Sequence, residues 1–108
     1  MTNGAKQPTD STEADGLVGL AWIAHYKGQN DDAIRQYEQI LQRWPDHIDA
    51  NYGLALALKT AGQKEKSAEA FRKTKALVDA AHAASHEDAE HPRFQMLSRM
   101  CEQQLAML

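Results

Sequence analysis

The chain has 108 residues, 43% of them hydrophobic and 25% charged, with a formal net charge of −3. This is the composition of a globular chain with one modest core, and its charge excludes a global attraction to nucleic acid or to anionic membrane surfaces. The single cysteine, Cys101, excludes an internal disulfide; it reads as a small buried apolar residue in a reducing, cytoplasmic setting.

Residues 1–12 are polar, with Gly, Pro, Ser and Thr, and read as a disordered tail before a domain spanning 13–108. The opening MTNGAKQPTDSTEAD carries more acid than base, the reverse of a signal sequence. The longest uncharged run, Gly16 to Tyr26, falls far short of the ~20 residues that a spanning helix needs.

A first helix is predicted from near Thr12, where Thr12 and Asp15 have capping-box spacing. Leu17, Leu20, Ala21 and Ala24 share one face of it. Gly28 ends it, because glycine takes the left-handed conformation of a helix C-terminus without penalty. Asn30 is the expected N-cap of a second helix, with Asp31 and Asp32 at its positive end and Ala33, Tyr37, Ile40 and Leu41 as its apolar face. Pro45 stops it. Asp46 is then expected to cap a third helix carrying Leu54, Ala55 and Leu58. Gly62 turns the chain into a fourth helix, with Ala70, Phe71, Leu77 and Val78 inward.

These helices repeat. Shifting the chain by 34 residues, so that 14–47 lies on 48–81, gives six identical pairs: Asp15/Asp49, Gly19/Gly53, Leu20/Leu54, Ala21/Ala55, Gly28/Gly62 and Gln29/Gln63. About two would arise by chance at ordinary composition. Tyr37/Phe71, Ala33/Ser67, Asp31/Glu65 and Trp22/Leu56 are similar. Each half is a helix hairpin whose short connection forces antiparallel packing. The second half lacks a closing proline, and Ala80, Ala81, Ala83 and Ala84 are strong helix formers. The fourth helix should therefore overrun to about His86, with a linker over 82–90. A fifth helix is predicted over 91–108, with Pro92 in its first turn and Phe94, Leu97, Cys101, Leu105 and Leu108 at helical spacing. It would cap the apolar end of the stack.

The spacing of Leu20-Ala21, Gly28, Ala33, Tyr37 and Pro45, and of Leu54-Ala55, Gly62, Ser67 and Phe71, resembles the tetratricopeptide repeat. The resemblance departs at Leu17 and Asn51, where the family usually has tryptophan, and at Asp79, where it has proline. It implies an all-α fold: two helix hairpins and a capping helix, curved into a right-handed arc. It also implies that the first helix of each repeat lines a concave surface. The partner-binding residues expected there are Asp15, Val18, Trp22, His25 and Tyr26, with Asp49, Tyr52, Leu56 and Lys59. Some relatives clamp a peptide's terminal carboxylate with lysine, asparagine and arginine. Val18, Trp22 and Gly53 stand at matching places here, so that clamp is missing and chaperone tails are not expected.

The function expected is non-catalytic binding of a peptide or partner helix by an apolar patch centred on Trp22, Tyr52 and Leu56. The alternative is a homodimer through that patch, or through Met96, Met100 and Met107 of the fifth helix. No constellation for catalysis is recognisable, and no cofactor is implied. His82, His86 and Glu90 are spaced to share a helix face, a weak pattern for zinc. Lys59, Lys64, Lys66, Arg72, Lys73 and Lys75 are broken up by Glu65 and Glu69, lack interleaved aromatics, and read as a solvated face.

Overall fold

A computed structural model describes residues 12–84 and 93–108. They form five α-helices: α1 (Thr12–Tyr26), α2 (Asn30–Arg43), α3 (Ile48–Thr60), α4 (Lys64–Ala84) and α5 (Arg93–Met107). The chain is all-α. The polar tail through residue 11, Pro92, and the last two residues of the predicted overrun of α4 lie outside the described residues. α1 begins at Thr12, where the first helix was expected to start.

Both hairpin turns form as expected. Gly28 and Gly62 have φ of 81° and 84°, and the next amide in each case closes back onto the helix, Gln29 N to Ala24 O and Gln63 N to Leu58 O, both at 2.9 Å. This is a Schellman-type ending, which only glycine enters cheaply.

The expected N-caps are shifted. The N-cap of α2 is Gln29, with no side-chain bond, and Asn30 is already helical. The tight glycine turn reverses the chain so abruptly that the helix starts a residue early, with Ala33 N on Gln29 O. At α3 the cap is His47 rather than Asp46: its Nδ1 accepts from Ala50 N at 3.1 Å. Because Nδ1 accepts, the proton of the neutral ring sits on Nε2, which reaches Asp15 Oδ1 at 2.9 Å. The cap thereby ties the start of α3 to the start of α1.

The core has two parts. The first joins Ala14, Val18, Ala21 and Ala24 of α1 to Ala33, Tyr37 and Ile40 of α2, Trp44, and Ala50 and Ala57 of α3. The second joins Ala55 and Phe71 to Cys101 of α5, with Tyr52, Leu56, Ala70, Leu105 and Leu108 against it. Small residues on the first helix of each hairpin let the second helix approach, and one large ring, Tyr37 or Phe71, fills the space between layers. Ser67, at the place of Ala33, is tolerated because its hydroxyl donates to Ala55 O at 2.8 Å. Asn51, where the family usually has tryptophan, is also buried; its Nδ2 donates to Pro45 O at 3.1 Å and His47 O at 2.7 Å, tying the inter-repeat loop to α3.

Two expectations about α1 need correction. Leu20 was placed on the inward face but is 58% exposed, whereas its repeat equivalent Leu54 packs on the first core cluster. A preceding hairpin, α1–α2, lies against α3, and among the described residues none lies against α1. Val18, expected on the open surface, is buried at 6% because α2 and α3 close over it.

α5 packs chiefly along α4 and reaches α3 through long side chains. Arg93 meets Asp49 at 3.3 Å near the start of α3, and Lys59 donates to Gln104 Oε1 at 2.6 Å near its end. These two contacts make α5 run in the same direction as α3, the place that the first helix of a third repeat would take. Lys75 of α4 bridges Asp79 at 2.8 Å and Glu102 at 3.5 Å, adding a polar seam.

Candidate functional site

α1, α3 and α5 run side by side in one direction, and α2 and α4 form the layer behind them. Most of the expected partner-binding residues lie on the first layer, but the structure divides them. On α1, residues three and four apart meet on one face. Tyr26 stacks on Trp22 with ring centroids 5.5 Å apart and an interplanar angle of 30°, and His25 meets Trp22 edge-on at 5.6 Å. Trp22 is half-buried against the first core cluster, while Tyr26 is 81% exposed.

On α3, Tyr52 and Leu56 belong to the second cluster. Tyr52 sits edge-on to the fully buried Phe71 at 5.6 Å, and Tyr52 and Leu56 are partly covered by Cys101 and Leu105 of α5 and by Leu108 after it. Burial, followed by the charge of Cys101, pushes the Tyr52 phenol up, and a hydrogen bond from Gln104 pulls it part of the way back. Trp22 thus packs on one core cluster and the Tyr52–Leu56 pair on the other. α5, expected as a plain cap, also forms one wall of the surface.

The charged members are already engaged: Asp15 with His47, Asp49 with Arg93, and Lys59 with Gln104. None stands ready to hold a terminal carboxylate or an ammonium group. The surface offers instead a flat, polarisable platform, Tyr26 on Trp22, beside the partly covered Tyr52 and Leu56.

Other candidates fare differently. His82 faces Phe94 of α5 with ring centroids 6.4 Å apart, and His86 and Glu90 lie outside the described residues. Among the described residues no cluster of three metal-ligating side chains occurs. Met96 and Met107 are 56% and 63% exposed on α5. Lys64, Lys66, Arg72 and Lys73 are exposed along α4, with Glu65 and Glu69 between them. Among the described residues no helix is long and apolar enough to cross a membrane.

Trp44 was missed in the sequence. It closes α2, is 7% exposed, and lies beneath the Arg43 guanidinium, which sits 4.2 Å from its ring centroid. Its position next to Pro45, at the end of an amphipathic helix, was the available signal.

The family model described as tetratricopeptide repeat matches residues 18–84, from the first turns of α1 to the end of α4. No curated protein and no solved structure matches the chain significantly.

Proposed function

Since the chain belongs to the tetratricopeptide repeat family, whose repeats generally mediate protein–protein interaction, we propose that it binds an apolar, aromatic-bearing peptide or helix across α1 and α3, without catalysis. The observation that carries this reading is the Tyr26 ring, 81% exposed and stacked on a half-buried Trp22. An aromatic held rigid by a second ring loses little conformational freedom when a partner covers it, which is what makes tyrosine and tryptophan binding anchors. Engagement of Asp15, Asp49 and Lys59 within the fold disfavours a ligand chosen by its charged terminus. The buried, reduced Cys101 suits a reducing compartment such as the cytoplasm.

The test is fluorescence anisotropy with labelled synthetic peptides: amphipathic helices carrying a Leu/Phe/Trp face, against acidic peptides with a free C-terminus. The apolar helices should bind and the acidic ones should not. Tyr26→Ala should weaken binding at least ~10-fold, the scale of an interface hot spot, with unchanged helicity. Equal binding of both peptide classes, or indifference to Tyr26→Ala, would sink the reading.

A further inference from the structure

The 34-residue shift between the repeats carries one face of α3 onto the outer face of α1. On α3 that face is Ala50, Gly53, Leu54 and Ala57, and α2 sits on it: Ala50 and Ala57 are fully buried, Leu54 packs on the core, and the Tyr37 ring lies over Gly53. The equivalents on α1 are Gly16, Gly19, Leu20 and Ile23. The same kind of helix seat is present there, small residues beside large aliphatic ones, without an occupant among the described residues. Leu20 is 58% and Ile23 51% exposed, and a Cβ built on Gly16 or Gly19 meets nothing within 4 Å. The α1 sequence is apolar around its whole circumference, a pattern of helices covered on every side. Glycine is also the poorest helix former after proline, and nothing among the described residues requires it at 16 or 19.

Residues 1–11 hold no leucine, isoleucine, valine or aromatic that could fill the seat. The face is, however, its own complement. In an antiparallel pair of α1 helices related by a two-fold axis near Leu20, Ile23 of each copy enters the hollow left by Gly16 of the other. Leu20 lies beside Gly19, and Glu13, which pairs with Arg43 of its own chain at 3.0 Å but stays more than half exposed, lies near Lys27 of the other copy. A shallow groove of about 240 Å³ alongside is mixed in character, with Leu17, Ile40 and Trp44 on its apolar side and Gln36, Gln39 and Arg43 on its polar side. The geometry points to an isologous homodimer closed by the outer faces of two α1 helices. Trp22 projects from a different side of α1, while Tyr26, three residues after Ile23, borders the dimer face.

Sedimentation equilibrium of the full chain across concentration tests this. The mass should rise from 12.0 kDa to twice that value. Gly16→Gln has open space in the monomer, so it should keep helicity and melting temperature while weakening dimerisation at least ~10-fold, enough to be read as a monomer at intermediate loading. Lys27→Glu should weaken the dimer by setting like charges against Glu13 of the other copy. In a Cys101→Ala background, Leu20→Cys should cross-link to itself on mild oxidation and Lys27→Cys should not. A monomer at every concentration overturns the proposal. So does a dimer that survives Gly16→Gln and Leu20→Glu, which would place self-association elsewhere, such as the exposed methionines of α5.

Discussion

Gly53 of α3 lies against the hydroxyl end of the Tyr37 ring of α2: a Cβ at position 53 would stand 2.5 Å from the Tyr37 hydroxyl oxygen. This contact sets the approach of the first hairpin to the second. It also separates two glycines that the repeat aligns. At Gly19, the partner position, a Cβ meets nothing within 4 Å. Gly53→Ala should therefore destabilise the fold by about 1–3 kcal/mol through overpacking. Gly19→Ala should stabilise it by up to about 1 kcal/mol through helix propensity. Urea denaturation in dilute solution gives both values, and equal effects would refute the contact.

Tyr37 itself is fully buried, and its hydroxyl has no hydrogen-bond partner among the described residues. Burial, and after it the Asp49 charge, push its phenol well above the ordinary tyrosine range. The second repeat uses Phe71 at the same place. Tyr37→Phe should thus be neutral or slightly stabilising, because it removes a desolvated donor. Tyr37→Ala should cost about 3–5 kcal/mol by leaving a cavity between the layers. Thermal melts of the two variants decide; a large loss in Tyr37→Phe would mean that the hydroxyl has a partner.

Cys101 reports on the docking of α5. It is fully buried beside Ala55 and Phe71, and burial first, then Asp79, lift its thiol to about 11 from the ordinary 9.0, against the pull of Lys75. A folded pKa above the unfolded one means that the contribution is intact below pH 9.0 and is lost as pH rises through about 11. Stability should fall across that window, and less steeply in Cys101→Ala. At neutral pH the thiol should react with a bulky disulfide reagent only as fast as α5 lifts away. Rapid, complete labelling of the native protein would contradict this packing.

His47 joins the two repeats by capping α3 and bonding Asp15. His47→Ala removes both interactions and should cost about 1–2 kcal/mol, the upper range for an N-cap. Asp15→Ala breaks only the exposed contact and should cost under about 1 kcal/mol. Chemical denaturation of both variants would show the difference.

Trp44 is a poor choice for silent replacement. Trp44→Phe shrinks a buried side chain and loses the Arg43 contact, and should destabilise by about 1–3 kcal/mol. Its emission should be the blue-shifted, quencher-resistant part of the spectrum. Trp22, half-buried beneath Tyr26, should be the more accessible of the two.

Much of the fold was legible because its signals are local. A glycine that must take positive φ marks its own position, and Gly28 and Gly62 did so. The apolar spacing around Tyr37 and Phe71 marked the inward faces of α2 and α4. The site was less legible. Trp22, Tyr52 and Leu56 fall in the right layer, but no feature of their spacing told that α5 would return parallel to α3 and cover two of them. The N-caps moved by one residue because Asn30 and Asp46 compete with a tight turn and with a histidine whose second nitrogen finds a partner on another helix.

By itself the sequence determined the repeat, its turns and the five helices seen among the described residues, since these depend on backbone preferences and on periodicities within a few turns of chain. Only the tertiary structure decided which of two equivalent side chains is covered. Leu20 and Leu54, or Gly19 and Gly53, have the same local context, but α3 has a hairpin lying against it and α1 has none among the described residues. Burial is a property of what arrives from elsewhere in the chain, and a pattern of local spacing does not carry that information.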